Sequence, residues 1–226
     1  FHWTPSPAWD IRVDYSNDDR SGAMPFGTAI NGFNTLELPA PVSYSTQNFS
    51  VSAQYAGRIN EEQRWSMSLA YVGSLFHNDL TSFTFDNPFR LSAPVGNNTA
   101  NEGRNSLPPS NDAHRLTLTG AVDLSPTARY VGTVSYGIMR QDEQFLPFTI
   151  NPTILGSGGT PMTDLSLLPA QSLDGEIEEL LLNNQLTMRF GQHWTGTARL
   201  RYLDVRNNTP LLFFPEYVRA DGQRQN

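Results

Sequence analysis

The feature that most constrains this chain is a strict alternation of apolar and polar residues in separate runs, the period-2 signature of strands whose two faces meet different surroundings. Phe49, Val51, Ala53 and Tyr55 alternate with Ser50, Ser52, Gln54 and Ala56. Trp65, Met67, Leu69 and Tyr71 alternate with Ser66, Ser68 and Ala70, and Leu116, Leu118, Gly120, Val122 and Leu124 with Arg115, Thr117, Thr119, Ala121 and Asp123. The same holds for Trp9, Ile11, Val13 and Tyr15, for Leu186, Met188 and Phe190, and for Trp194, Gly196, Ala198, Leu200 and Tyr202. Seven strands are predicted, at about 9–15, 49–58, 64–77, 115–124, 128–141, 176–190 and 194–207.

Their connections alternate in length. Short turns fall at 59–63, 125–127 and 191–193, whereas long loops are expected at about 16–48, 78–114, 142–175 and 208–226. Compact soluble domains rarely carry loops longer than ~12 to 15 residues. Outer-membrane barrels do, because their periplasmic turns are short and their extracellular loops long. The expected fold is therefore all-β: a single partial domain over 1–226, an antiparallel up-and-down transmembrane β-barrel segment.

Composition narrows the function classes. Hydrophobic residues make up 38% and charged residues 16%; all 15 basic residues are Arg, none Lys, against 22 Asp plus Glu, for a net charge of −7. That balance, with no basic cluster, argues against nucleic-acid binding. No run approaches the ~18 to 20 apolar residues of a membrane helix. With no Cys, this chain can form no disulfide, thiolate site or covalent haem attachment. Phe1 is not an initiator and nothing resembles a signal peptide, so a mature or partial chain is expected.

An internal repeat marks the strand after each short turn. Trp9, Trp65, Tyr130 and Trp194 recur at spacings of 56, 65 and 64 residues, and Tyr15, Tyr71, Tyr136 and Tyr202 follow six or eight residues later. Aromatics near both strand ends are what two interfacial girdles require, since Trp and Tyr rings sit stably with one edge apolar and the other wet. The alternative is a β-sandwich whose aromatics fill a core.

The stretch Leu107-Pro108-Pro109-Ser110-Asn111-Asp112-Ala113-His114, with Leu116, Leu118 and Gly120, resembles the MtrB/PioB family of decahaem-associated outer-membrane proteins. The resemblance continues through Arg129, Gly132, Ser135-Tyr136-Gly137, Met139, Gln141-Asp142 and Phe145 to Asn151, with Asn87-Pro88-Phe89, Leu168-Pro169 and Ser172 to Gly175. It implies a large barrel that sheathes a periplasmic multihaem c-type cytochrome, on which an extracellular cytochrome often docks. The haem then belongs to the partner, with none bound covalently by this chain. Family members are several times longer and many carry a CxxC absent here, so an internal segment of the wall is expected; a plugged lumen implies ~22 strands.

Other candidates are weaker. His2 and His193 in short turns, His77 at a strand end and His114 at a loop-to-strand junction share no ligand spacing, which favours hydrogen-bonding roles. Asp112 with His114 suggests a hydrolase dyad, but no serine partner is assignable. The acidic groups Asn17-Asp18-Asp19 and Asp142-Glu143 lack the EF-hand pattern and read as solvated charge. Asn48 and Asn97 begin Asn-x-Ser/Thr triplets, and Gly156-Ser157-Gly158-Gly159 lacks the strand-to-helix context of a phosphate site.

The face opposite the apolar residues is more informative. Asp10, Arg12, Asp14, Gln54, Arg58, Arg115, Thr117, Thr119, Asp123, Arg129, Gln185, Thr187, Arg189, Thr195, Thr197, Arg199 and Arg201 are expected to point into the lumen. Of these, Arg12, Arg58, Arg115, Arg129, Arg189, Arg199 and Arg201 are the expected partner contacts, because guanidinium groups fork onto carboxylates or propionates. Arg189, Arg199 and Arg201 are expected to share one positive patch. Trp9, Trp65, Leu69, Tyr71, Tyr130, Tyr136, Trp194 and Tyr202, with Leu116, Leu118, Leu186, Met188 and Leu200, are expected to face lipid. The expected function is a non-enzymatic sheath that holds and insulates the cytochrome for extracellular electron transfer. The alternatives are a general porin for small solutes and a soluble β-sandwich adhesin or binding module.

Overall fold

The computed structural model describes residues 1–30, 34–90, 100–219 and 224–225. Twelve strands follow in chain order: β1 (His2–Trp3), β2 (Trp9–Ile30), β3 (Asn34–Arg58), β4 (Arg64–Asn78), β5 (Ser82–Asp86), β6 (Glu102–Ser106), β7 (Asn111–Ser125), β8 (Ala128–Gln141), β9 (Gly175–Phe190), β10 (Trp194–Asn207), β11 (Tyr217–Val218) and β12 (Arg224–Gln225). Eight form one open antiparallel sheet in the order β1-β2-β3-β4-β7-β8-β9-β10, seven of them long. Only a single-turn 3-10 helix at Leu165–Leu167 interrupts the all-β pattern of the described residues.

Each short turn has a local cause. At β3–β4, Asn60 Oδ1 accepts from the N–H groups of Glu62 (3.0 Å) and Gln63 (2.8 Å), an Asx-type closure that leaves the strands antiparallel. Between β7 and β8, Pro126 and Thr127 turn the chain, and the register shifts between Asp123 and Ser125 to admit a bulge. At β9–β10 the turn needs a left-handed residue, supplied by Gly191 at φ 66.

The register sorts the side chains by face. Ile11 pairs with Ala53, Ala53 with Leu69, Leu69 with Leu118, Leu118 with Val134, Val134 with Leu182 and Leu182 with Tyr202, so one row runs across the whole sheet on one face. One position along each strand, Ser52, Ala70, Thr117 and Ser135 form the matching row on the other face. A slip by one residue between any two strands would mix these sets, so the turns and the alternation specify the same register.

Residues 16–48 differ from expectation. Among the described residues, 16–30 and 34–48 form a long arm in which β2 and β3 stay paired from Ser16↔Asn48 to Ile30↔Asn34. The arm contains Pro25, Pro39 and Pro41, and all three occupy odd positions. Val13 sends its N–H to Phe1 on the β1 side of β2, and Ala56 sends its N–H to Ala8 on the β2 side of β3. Carried along the unshifted register, this parity turns the odd positions' N–H groups away from the partner strand, so the prolines cost no ladder bond there.

Within the arm the apolar parity reverses. Phe26, Thr28, Ile30, Leu36, Leu38 and Ala40 are sheltered, while Pro25, Gly27, Ala29, Thr35, Glu37 and Pro39 are exposed. These even positions lie on the side that carries Ser52 and Thr117 lower down, and Phe26 meets Phe83 of β5 edge-on at 5.5 Å. The expected loop 78–114 therefore contains the β5–β6 hairpin, folded over the polar side of the sheet.

The loops 142–175 and 208–219 join it in a small cap. Ala100, Ile154 and Met162 form its buried centre, flanked by Phe148, Leu167 and Val218. Phe214 packs edge-on against Phe145 and Phe148. Asn151 Nδ2 donates to the Glu102 carbonyl at 2.9 Å and Arg104 to that of Pro147, tying the second loop to the hairpin. The segment 208–226, expected as a plain loop, contributes the short β11–β12 pair.

Candidate functional site

The site of this chain is a surface, and its two faces define it. On the apolar face, Leu69, Leu118 and Val134 are 47%, 42% and 46% exposed, and no second sheet covers them among the described residues. A contiguous apolar face this large needs a cover that the fold itself does not provide. No helix among the described residues is long and apolar enough to cross a membrane, which says nothing of strands. The described face is thus incompatible with the sandwich alternative, whose second sheet would lie here.

Aromatic residues bound this face at both ends. Near the short turns Trp9 meets Tyr55 at 5.0 Å and Tyr55 meets Trp65 at 5.1 Å, with Tyr130, Phe190 and Trp194 continuing the line. Toward the loop end Tyr15 sits opposite Phe49, Phe49 meets Tyr71 at 5.7 Å, and Tyr136 and Tyr202 follow. Both lines step toward the short-turn end from β2 to β10. That parallel stagger is what strands tilted in a barrel wall produce. Glycines here serve as floors for rings: a Cβ at Gly73 would collide with the Phe49 ring, and one at Gly196 would come within 2.9 Å of the Phe190 ring.

The opposite face has low relief at its centre. Three adjacent rows across β3, β4, β7 and β8 read Ser52-Ala70-Thr117-Ser135, Gln54-Ser68-Thr119-Thr133 and Ala56-Ser66-Ala121-Val131. None of these twelve carries a charge. Two pairs of hydroxyls bond across β7 and β8, Thr117 with Ser135 at 2.9 Å and Thr119 with Thr133 at 3.2 Å, so this part of the panel is polar without carrying charge.

The seven expected contact arginines all lie on this face, around the panel. Arg12 pairs with Asp10 (2.8 Å) and Arg129 with Asp123 (3.2 Å). Arg115 reaches across the whole of β8 to Glu179 at 3.0 Å, and Gly137 makes this possible by leaving the intervening position empty. The expected patch of Arg189, Arg199 and Arg201 does not form as one unit. Arg189 donates to the Pro126 carbonyl at 3.2 Å because the β7–β8 turn lies beside it, while Arg199 donates to Gln185 at 3.0 Å. Arg199 and Arg201 remain neighbours on β10.

The histidines are placed individually. His2 lies in β1, not in a turn, and contacts Asp10 at 2.9 Å; His77 lies near Asp79 at 3.4 Å, and His193 is in the β9–β10 turn. Asp112 and His114 do meet, at 3.1 Å, but the other ring nitrogen lies 2.8 Å from the Tyr71 hydroxyl. The group is a Tyr-His-Asp chain at the loop-end aromatic line, with tyrosine where a hydrolase needs serine. Asp18 and Asp19 lie in β2, bonded to Arg20 and Asn17. Asn48 is in β3, and Asn97 lies outside the described residues.

Sequence reasoning missed the groups that hold the cap. Ser157 donates through its N–H (3.0 Å) and hydroxyl to Glu216, which also pairs with Arg224 at 3.0 Å. These bonds, Ser157 first and Arg224 after, hold the Glu216 carboxyl below its ordinary range. The Gly156–Gly159 run serves this tie, with Gly159 left-handed at φ 79. Where the cap meets β4 and β8, a cleft of about 420 Å³ opens between Asn78, Arg104, Pro108, Phe145 and Phe148.

Comparison with known proteins agrees with this geometry. A family model described as "Putative outer membrane beta-barrel porin, MtrB/PioB" matches residues 1–226. The outer membrane protein MtrB of Shewanella baltica (strain OS185) is 22% identical over 213 residues, covering 93% of this chain and 27% of the relative. The chain therefore spans about a quarter of that relative's length. With its two-faced antiparallel sheet, short turns and long loops, the chain belongs to the MtrB/PioB family of outer-membrane β-barrel proteins.

Proposed function

We propose that this segment forms part of a barrel sheath that holds and insulates a multihaem c-type cytochrome for electron transfer across the outer membrane. The low central panel of the polar face carries the reading. A folded protein packs closely only against a wall without protruding charged side chains, because each such charge would lose its water as the lumen filled. Uncharged, mostly small Ser, Thr and Ala side chains, with Thr117 bonded to Ser135 and Thr119 to Thr133, avoid that cost and leave the charges at the margins.

In this reading Trp9, Trp65, Leu69, Tyr71, Tyr130, Tyr136, Trp194 and Tyr202 contact lipid and its interfaces, and Arg12, Arg58, Arg115, Arg129, Arg189, Arg199 and Arg201 face the cytochrome. The short turns face the periplasm, and the cap lies outside, where an extracellular cytochrome would meet it. The haem is the partner's; this chain supplies a hydrogen-bonded wall and a fitted interior, with no catalytic group.

A general porin is the second reading, favoured by the family description. Vesicles containing the purified complex and an enclosed redox dye separate the two. A sheathed wire reduces the enclosed dye when a membrane-impermeant reductant is added outside, while an enclosed small solute stays inside. Loss of the solute without haem-dependent reduction would support the porin instead.

A further inference from the structure

Arg58 and Arg64 face each other directly across β3 and β4 on the polar face, at the margin beside the short turn. Neither guanidinium makes a hydrogen bond or ion pair with any described residue. Like charges placed directly opposite are destabilising. Elsewhere on this face Arg12, Arg115 and Arg129 each have a carboxylate, and Arg189 and Arg199 each donate to a neutral oxygen, whereas Arg58 and Arg64 place two uncompensated charges directly opposite each other.

The pair is also held in place. Asn60 closes the turn between the two arginines, its side-chain amide donating to Gln63 Oε1 at 2.9 Å. Gln63 in turn donates to the Leu124 carbonyl of β7 at 2.8 Å, fixing the turn to the next strand. Glu61 and Glu62 occupy the turn tip, yet neither forms an ion pair with the arginines. With Arg129, the two guanidinium groups border an open basin of about 370 Å³ floored by Ala56, Ser66 and Ala121. The floor is small enough for another surface to approach, and the fixed turn sets the backbone positions from which both arginines reach it.

We propose that this basin docks an acidic patch of the protein that fills the barrel, with Arg58 and Arg64 gripping one or two of its carboxylates at the short-turn rim. The inference rests on the sheath reading. The basin is too open to enclose a small anion, and its forked donors match carboxylates bidentately, so a protein surface bearing Asp or Glu is the fitting occupant. The contact orients the partner at the rim while the neutral panel receives its body.

The test compares wild type with R58Q/R64Q and R58K/R64K in the protein as it is assembled in its outer membrane, purified in detergent. Covalent haem per barrel is followed as salt rises from ~0.1 to ~1 M, which shortens the Debye length from ~10 to ~3 Å. Wild type is expected to hold its haem protein to the higher salt, R58Q/R64Q to release it at a severalfold lower concentration, and R58K/R64K to lie between, with heat-modifiable gel migration unchanged in all three. Equal release profiles for wild type and R58Q/R64Q overturn the dock while leaving the sheath standing. A wild type that carries no haem removes the sheath reading, and the basin is then tested alone with fluorescent hexaglutamate. Binding about tenfold weaker in R58Q/R64Q supports an acidic dock, and equal binding overturns it.

Discussion

Leu118 and Thr117 are neighbours on β7 that point to opposite faces, so placing Arg at each in turn measures the difference between those faces. Leu118 sits in the row Leu69-Leu118-Val134, between the two aromatic lines. A guanidinium there enters the hydrocarbon near mid-depth, which costs ~2 to 4 kcal/mol, or ~30- to 1,000-fold in the folding equilibrium constant. Thr117→Arg loses the 2.9 Å bond to Ser135, worth ~0.5 to 1.5 kcal/mol, and in the barrel stripped of its partner its charge meets water rather than lipid. The expected loss at Thr117 is therefore ~2- to 12-fold. Urea titration of the barrel in lipid vesicles, followed by tryptophan fluorescence, reads both values, with gel migration as the assembly control. Comparable losses at the two positions would refute the assignment of faces.

Three further outcomes are expected. Gly73→Ala should destabilise by ~1 to 3 kcal/mol, because its Cβ enters the space of the Phe49 ring, and adding Phe49→Ala should recover the strain in a double-mutant cycle. Gly137→Leu should abolish the coupling between Arg115 and Glu179, ~0.2 to 1 kcal/mol in a second cycle, by blocking the path across β8; unchanged coupling would show that the arginine travels another way. The Glu216 carboxyl is depressed in the folded state, so its tie to Ser157 is fully present above the ordinary carboxyl range of about 4.3 and is lost as pH falls through the lower folded value. Protection of the 154–162 amides against hydrogen exchange, corrected for the intrinsic rate at each pH, should fall as Glu216 protonates below the ordinary carboxyl range in wild type and be reduced already at neutral pH in Glu216→Gln; protection that does not change with pH would remove Glu216 from the cap.

Most of the wall was legible because one physical rule writes it. Where a strand has lipid on one side and a polar interior on the other, every second residue must change character, and β4, β8 and β10 match the alternation almost to the residue. The β2–β3 arm was hidden by its prolines and by its Ser, Asn and Asp, which resemble loop composition. A signal was present in Phe26-Thr28-Ile30 and Leu36-Leu38-Ala40, which alternate with the opposite parity because the cap covers the other side. The arginine pairings lay out of reach for a different reason. Arg115 finds Glu179, 64 residues away, through a register and an empty Gly137 position that no single strand encodes. The Arg58–Arg64 pair was nearer to hand, since a short turn between two arginines places them opposite each other.

The central claim is that the polar face encloses a multihaem protein rather than a water-filled channel. The most direct measurement is the ratio of covalent haem to barrel in protein isolated from its own outer membrane, taken together with the conductance of the same preparation in a planar bilayer. The account predicts a fixed ratio of several haems per barrel and no open-pore conductance; a fully assembled barrel that carries no haem and conducts small ions freely would contradict it.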